Sequence, residues 1–420
     1  MNMKEYESYR NSGLDWIGKI PVHWKCAPFK WFMHINNGRD YKNFVAESGI
    51  PVIGSGGRFA YASDYLYDGE ALLLGRKGTI DHPMYINGKF WTVDTMFYAV
   101  PKRDVSCKYM YYQSLGFPFG LYSTETALPS MTQSDLGNNP VCLPPYEEQL
   151  KIVSFLDGMV DKIDNVIKDK ESVIEDLQNY RKSILSEILT HGLKSEKTMK
   201  DSCNECVGEI PSSWNIIKLA RCTTKIGSGK TPSGGADVYT SEGIMFVRSQ
   251  NVYNDGLRTD DIVFIPEEID NTMIGTRVQN DDVLLNITGG SIGRCCHIDD
   301  PFIRANVNQH VCIIRTIKDK LNAKFLQLCV TSEIVQRQIK CCQTGSNREE
   351  LNFEQIGNFV IPFPPYKEQE QIANYLNTKI ECVSTAINEL QLQINDIKTY
   401  KSSLIIEAVT GKIDLRLLKI

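Results

Sequence analysis

The chain has 420 residues, 42% hydrophobic and 23% charged, ordinary globular usage that supplies cores for about two to four domains and excludes chain-wide disorder. Lys and Arg number 46 against 51 Asp and Glu, a net charge of −5, which taken alone argues against a nucleic-acid binder, whose footprint should be basic. No run of about 18 apolar residues reads as a membrane span, and the polar start over 1–11 has no apolar core, so neither a span nor a secretory leader is expected and a cytoplasmic location is.

The first element along the chain is Gly18-Lys19-Ile20-Pro21-Val22-His23-Trp24. From Tyr41 to Pro140 the pattern is mixed α/β with short strands. Ala71-Leu72-Leu73-Leu74 reads as a buried strand. Gly54-Ser55-Gly56-Gly57 and Gly75-Arg76-Lys77-Gly78 read as loops. Pro144-Pro145-Tyr146 then forbids an earlier helix start. Leu156, Val160, Ile163, Ile167, Lys170, Ile174, Leu177, Arg181, Ile184 and Ile188 follow a 4-3-4-3 spacing, the seam of a coiled coil. No Pro or Gly interrupts Met159 to His191, which predicts a helix of about 33 residues, roughly 50 Å long. A polar linker follows over 192–213. Gly208-Glu209-Ile210-Pro211-Ser212-Ser213-Trp214 then repeats the opening motif. Met245-Phe246-Val247 and Val283-Leu284-Leu285 read as buried strands, and 289–294 as a Gly-rich loop. Pro364-Pro365-Tyr366 starts a second helix with the seam Leu376, Ile380, Val383, Ile387, Leu390, Ile394, Ile397, Lys401, Leu404 and Ala408. Arg181 and Lys401 occupy the same seam position and are expected to snorkel.

The chain is one plan written twice. Segment 144–190 aligns without gaps on 364–410, with 14 identities over 47 positions. These include Glu148-Gln149 with Glu368-Gln369, and Asp176, Tyr180, Ser183 and Glu187 with their copies 220 positions later. The middles share little beyond pattern. Constant ends around variable middles read as two versions of one binding module on a common frame. The predicted class is α+β: two α/β modules and two long helices, written as an internal repeat; each seam must be buried, against the other helix, by self-association or on another protein. The boundaries are 1–143 for the first module, 144–191 for the first spacer helix and 192–213 for the linker. The second module covers 214–363, and 364–420 holds the second helix and tail.

Other motifs carry no chemistry. Gly227-Ser228-Gly229-Lys230-Thr231 resembles the end of a P-loop, but the required Gly six positions before Lys230 is Thr224, and Pro232 breaks the helix that should hold phosphate. Leu143-Pro144-Pro145-Tyr146 and Phe363-Pro364-Pro365-Tyr366 lack the polar first residue of an amino-methyltransferase motif. Cys203-x-x-Cys206 has no second pair, so no metal is expected. The 13 cysteines suit a reducing compartment and are expected as buried thiols rather than disulfides.

The chain resembles the specificity (S) subunit of type I restriction-modification systems. The resemblance rests on Ser12-Gly13-Leu14-Asp15-Trp16-Ile17 leading into the Gly18 motif, and on Gly49-Ile50-Pro51-Val52-Ile53-Gly54. It rests further on Gly75-Arg76-Lys77-Gly78, Leu128-Pro129-Ser130-Met131-Thr132, Gly229-Lys230-Thr231-Pro232-Ser233, Gly243-Ile244-Met245-Phe246-Val247-Arg248 and both Pro-Pro-Tyr-x-Glu-Gln starts. Together they cover nearly the whole chain. The resemblance implies two target recognition domains, each reading one half of a bipartite, asymmetric site on double-stranded DNA. It implies further that the two long helices form an antiparallel coiled coil relating the domains by a pseudo-two-fold, act as spacer and dock two methyltransferase (M) subunits, and that two restriction (R) subunits join them. S-adenosylmethionine would sit on M, and ATP and Mg on R. This chain would carry no cofactor and catalyse nothing. A scaffolding coiled-coil protein and a stand-alone DNA methyltransferase are the alternatives. The first leaves two globular modules unexplained, and missing motifs oppose the second.

Arg reads guanine bidentately, Asn and Gln read adenine, and Gly lets backbone approach phosphate. The DNA-binding candidates near Gly-rich loops are therefore Arg58, Arg76, Lys77 and Gln133 in the first module. In the second they are Lys230, Arg248, Gln250, Asn251, Arg294 and Arg348. The first helical segment, 144–191, carries 6 basic and 10 acidic groups, so most of the acidic excess lies outside the modules.

Overall fold

Proline fixes φ and disfavours the helical conformation in the residue before it, so each Pro-Pro-Tyr ends a strand and opens a helix. In the computed structural model the helices run Tyr146–His191 and Tyr366–Val409, 46 and 44 residues. Both exceed the length predicted from the uninterrupted seam. Gly158 does not stop the first, because a mid-helix Gly costs only about 1 kcal/mol and Ile152 and Leu156 beside it are fully buried. The structure describes all residues except 1–3, 15, 122–128, 195–197, 344–349 and 417–420. No described helix is long and apolar enough to cross a membrane.

Two units emerge: Met1–Glu171 with Leu390–Ile420, and Ser172–Glu389. The division falls inside both helices, so a unit is a module plus the stretches of helix packed with it.

The same frame opens each unit. Tyr9–Asn11 pairs antiparallel with Lys19–Pro21, and Met199–Asp201 with Glu209–Pro211. The segment expected as a plain linker, 192–213, therefore holds a whole β-hairpin. Asn11 Oδ1 accepts from the backbone N of Gly13, and Asp201 Oδ1 from that of Cys203, at 2.9 Å in both turns. Gly13 and Cys203 share a positive φ. Cys203 thus occupies a turn position that its counterpart fills with glycine. After the hairpins, Lys25–Pro28 pairs with Pro140–Leu143, and Asn215–Lys218 with Val360–Phe363. The short helices Gln133–Asn138 and Phe353–Asn358 precede the returning strands, each with a capping box at its N-terminus.

The expectation of thiols alone is corrected in one place. Cys26 and Cys142 stand directly opposite on the paired strands and form a disulfide. Register opposition brings the two Cβ atoms within bridging distance. The remaining described cysteines are thiols, but Cys203, Cys341 and Cys382 are exposed, so the expected burial is corrected there.

Between the frame strands the two modules share much of their strand order, as one sheet in the first and as separate sheets in the second. In the first, β1 (Met33–Asn37), β2 (Val45–Ala46), β3 (Ile50–Gly54), β4 (Gly57–Ala62), β5 (Tyr67–Gly75), β6 (Met84–Thr92) and β7 (Met96–Pro101) form one sheet in the order β1-β7-β5-β6-β3-β4-β2. In the second, β8 (Thr223–Ser228), β14 (Val311–Thr316), β11 (Asp282–Asn286) and β12 (Cys295–His297) form a sheet in the order β8-β14-β11-β12. A three-stranded sheet beside it has the order β10 (Val263–Ile265), β9 (Ile244–Val247), β13 (Ala305–Val307). β3 runs parallel to β6 as β9 does to β13. The long β6 of the first module is split into β12 and β13 in the second. The apolar runs read from the sequence lie in β5, β9 and β11 and are buried except for Met245, which is half-buried.

Helix packing follows the seam within each unit. In the first unit Lys401 Nζ donates to Asp164 Oδ1 at 2.7 Å, and Lys170 Nζ to Gln393 Oε1 at 2.7 Å. Rising numbers on one helix meet falling numbers on the other, so the pairing is antiparallel. Lys401 thus leaves the seam toward a carboxylate of the partner helix. Leu156, Ile163, Ile167 and Ile394 are buried there, and Ile397 is half-buried. In the second unit Leu376 and Ile387 are buried, while Ile174, Leu177 and Ile380 are half-buried. Ile184, Leu189, Ile372 and Leu376 belong to one core with Trp214, Phe325 and Ile361.

Candidate nucleic-acid interface

The frame positions the modules through two residues in each copy. Glu148 is buried and accepts from Trp24 Nε1 at 3.0 Å and Tyr6 Oη at 2.6 Å, and His23 Nε2 lies 2.8 Å from it. In the copy, Glu368 accepts from Trp214 Nε1 at 3.1 Å. The next residue clamps the helix start onto the module. Gln149 accepts from the backbone N of Ser106 and donates to the Pro144 carbonyl, at 2.8 and 3.0 Å. Gln369 does the same with Asn322 and Pro364, at 2.9 Å each. The two constant motifs of each half are thus one joint.

From this joint each sheet delivers a cluster of loops to one place. In the first module the centre is the turn 93–95. Gly38 N donates to the Met96 carbonyl, Arg39 N to that of Thr92, and Arg76 N to that of Thr95. The segment after Arg76 is held by Gly78 N to the Pro129 carbonyl and Met131 N to the Arg76 carbonyl. In the second module the centre is 308–310. Gly229 N donates to the Asn308 carbonyl, Ile287 N to that of His310, and Leu351 N to that of Ile287. Gly38 and Gly229 correspond: a Cβ on Gly38 would lie 1.9 Å from the Val93 carbonyl oxygen, and one on Gly229 1.6 Å from that of Val307. The glycine of the P-loop-like stretch is therefore required for close backbone approach.

The first cluster encloses a groove of about 350 Å³ lined by Asn37, Arg76, Lys77, Phe97, Met131 and Gln133 among others. Three predicted residues therefore meet in one place. The Arg76 guanidinium lies 5.8 Å from the Phe97 ring centroid, and Gln133 Nε2 donates to the Ile35 carbonyl at 3.1 Å. Arg58 sits apart on β4, exposed, with its guanidinium over the Tyr61 ring.

In the second cluster Lys230 is exposed beside Thr231, whose Oγ1 donates to Gln309 Oε1 at 2.7 Å. Arg294 lies over the Tyr253 ring at 4.8 Å. Arg248 is half-buried and donates to the Asp261 carbonyl at 2.8 Å, while Gln250 donates to the Asp261 carboxylate. Asn251 is corrected. It is fully buried, accepts from Arg248 N, and donates to the Arg258 carbonyl and to Asp261 Oδ1. Its amide is consumed inside the protein and cannot reach a base. Arg348 lies outside the described residues.

Sequence reasoning missed Arg39, which follows Gly38 as Lys230 follows Gly229. The shared Ile-x-x-Gly-Arg/Lys pattern at 35–39 and 226–230 could have found it. It also missed Gln309 and His310, whose place is set by the turn and not by any motif.

Burial pushes the Cys312 and Cys296 thiols up to about 12, far from a reactive thiolate. Among the described residues no group of three His, Cys, Asp or Glu is arranged to hold a metal.

The family model for the type I restriction modification DNA specificity domain matches this chain twice, over residues 21–176 and 211–396. The chain belongs to that family. It is a type I specificity subunit with two DNA-recognition domains, one in each unit. It is 24% identical to the type I restriction enzyme MjaVIII specificity subunit of Methanocaldococcus jannaschii, over 84% of this chain and 79% of that one. It is 21% identical to the EcoBI specificity subunit of Escherichia coli, over 94% and 88%. Its fold matches a chain from a study of the assembly and conformational transition of a type I R-M system, with a TM-score of 0.71 at 14% identity, covering 94% of this chain and 99% of that one. The HsdS subunit of Thermoanaerobacter tengcongensis gives 0.50 at 15% identity, with 94% and 98% covered.

Proposed function

We propose that each recognition domain of this specificity subunit reads one half of a bipartite, asymmetric DNA site through its loop cluster. The carrying observation is a repeated Trp–Glu–Gln joint beneath two different clusters. Trp24–Glu148–Gln149 and Trp214–Glu368–Gln369 hold the same frame, while the residues presented differ: Arg39, Arg76, Lys77 and Gln133 against Lys230, Arg248, Gln250 and Arg294. Two modules with one frame and different readers select two different half-sites. The long helices set the number of unread base pairs between them.

The chain catalyses nothing in this reading. Two methyltransferase subunits dock on the helices, carry S-adenosylmethionine and methylate adenine N6. Two restriction subunits with ATP and Mg join them, in the cytoplasm. A duplicated surface supports two copies of one partner. Asp176, Tyr180, Ser183 and Glu187 form one exposed helix face, and Asp396, Tyr400, Ser403 and Glu407 repeat it residue for residue. Exposed positions not needed for packing are otherwise free to diverge, and a central exposed tyrosine suits an interface anchor. The domains themselves are near neutral, so the partners supply much of the non-specific phosphate attraction.

The test is binding of duplex libraries by the purified complex of this chain with its methyltransferase partner at moderate salt. Enrichment of a split, non-palindromic sequence is expected. Equal binding of all duplexes would overturn the reading.

A further inference from the structure

We infer that Asp261 is the positioning residue that sets the base preference of the second recognition domain, by holding Arg248 and Gln250 in the orientation in which they read; this rests on the reading of that loop cluster as DNA-facing. The carboxylate is anchored from beneath and presented outward. Asn251, fully buried, accepts from Arg248 N at 3.0 Å and donates to Asp261 Oδ1 at 2.9 Å. That leaves Oδ2 turned toward the surface, where it accepts from Gln250 Nε2 and lies 4.0 Å from Arg248 Nη2. The same Nη2 donates to the Asp261 backbone carbonyl at 2.8 Å, and the guanidinium lies 5.9 Å from the Tyr239 ring centroid. One carboxylate therefore joins the two side-chain types that discriminate guanine from adenine.

The arrangement is not a stabilising core pair. The Asp261 side chain is 57% exposed, where an ion pair adds little to folding. Its physical effect is on freedom: Arg and Gln side chains are long and rotamer-rich, and bidentate readout demands one orientation. The first domain is built differently. There Arg76 rests on the Phe97 ring and donates to the Asp94 backbone carbonyl, and among the described residues no carboxylate side chain is recorded against it.

The experiment is base-preference profiling of D261N in the complex with the methyltransferase partner, using duplex libraries randomised in each half-site. D261N keeps the shape and removes the charge at an exposed position. The preference at the first half-site should stay as in the wild type. At one or two adjacent positions of the second, discrimination should fall about tenfold, within the range of one bidentate contact, while binding to unrelated duplex rises as a negative charge leaves the surface. Wild-type discrimination in D261N, or a uniform loss of affinity with both preferences intact, would overturn the inference. R248A and Q250A separate it from the reading beneath it. If both leave the second half-site preference unchanged, the DNA-facing reading fails. If they abolish it while D261N does not, only the role of Asp261 fails.

Discussion

Asn251 and Glu148 show what single residues in this chain are for. An amide beside a Gly-rich segment reads in the sequence as an adenine contact. Its burial, invisible in the sequence, turns it into an internal bracket. Glu148 was legible only as half of a repeated Glu-Gln pair, because its partners Tyr6, His23 and Trp24 are over a hundred positions away. The Tyr6 hydroxyl and the Trp24 indole N–H donate to one buried carboxylate, with His23 beside it, and removing it strands both donors. Glu148→Ala should therefore lower stability by about 3 kcal/mol, read as a fall in the urea midpoint. A midpoint unchanged within error would mean that the joint does not hold the domain.

At the scale of elements, the heptad seam and the Pro-Pro-Tyr starts were legible because period and proline act locally. The hairpin inside 192–213 was not, because its strands are three residues long and its turn uses Cys203 at positive φ, where no glycine signals it. The sheet was legible as short strands but not as shared connectivity, since pairing partners are set by topology and not by local pattern. Two glycines give opposite predictions. A Cβ on Gly158 meets nothing within 4 Å, so Gly158→Ala should stabilise the first helix by about 1 kcal/mol, seen as a raised Tm. Gly229→Ala drives a methyl group into the Val307 carbonyl. It should abolish discrimination at the second half-site and leave the first intact, measured by the same library profiling. Equal damage to both half-sites would deny that the clusters act separately.

For the whole molecule, the charge balance acquires a location. Most of the acidic excess lies on the first helical segment, 144–191, with 6 basic and 10 acidic groups. The internal repeat made the plan readable from sequence, because identical frame residues recur at fixed offsets. The target was not readable, because base preference depends on where a few side chains point. The helices join the two readings. One heptad adds about 10 Å to a helix, or about three base-pair steps of 3.4 Å. The decisive measurement is a genome-wide map of N6-methyladenine in cells carrying this chain and its methyltransferase partner, for the wild type and for a variant with one heptad inserted near Ile174 and another near Ile394. Two different half-sites around an unread gap are predicted, with the same half-sites and a gap about three base pairs longer in the variant. A single continuous motif, or altered half-sites with an unchanged gap, would contradict the account.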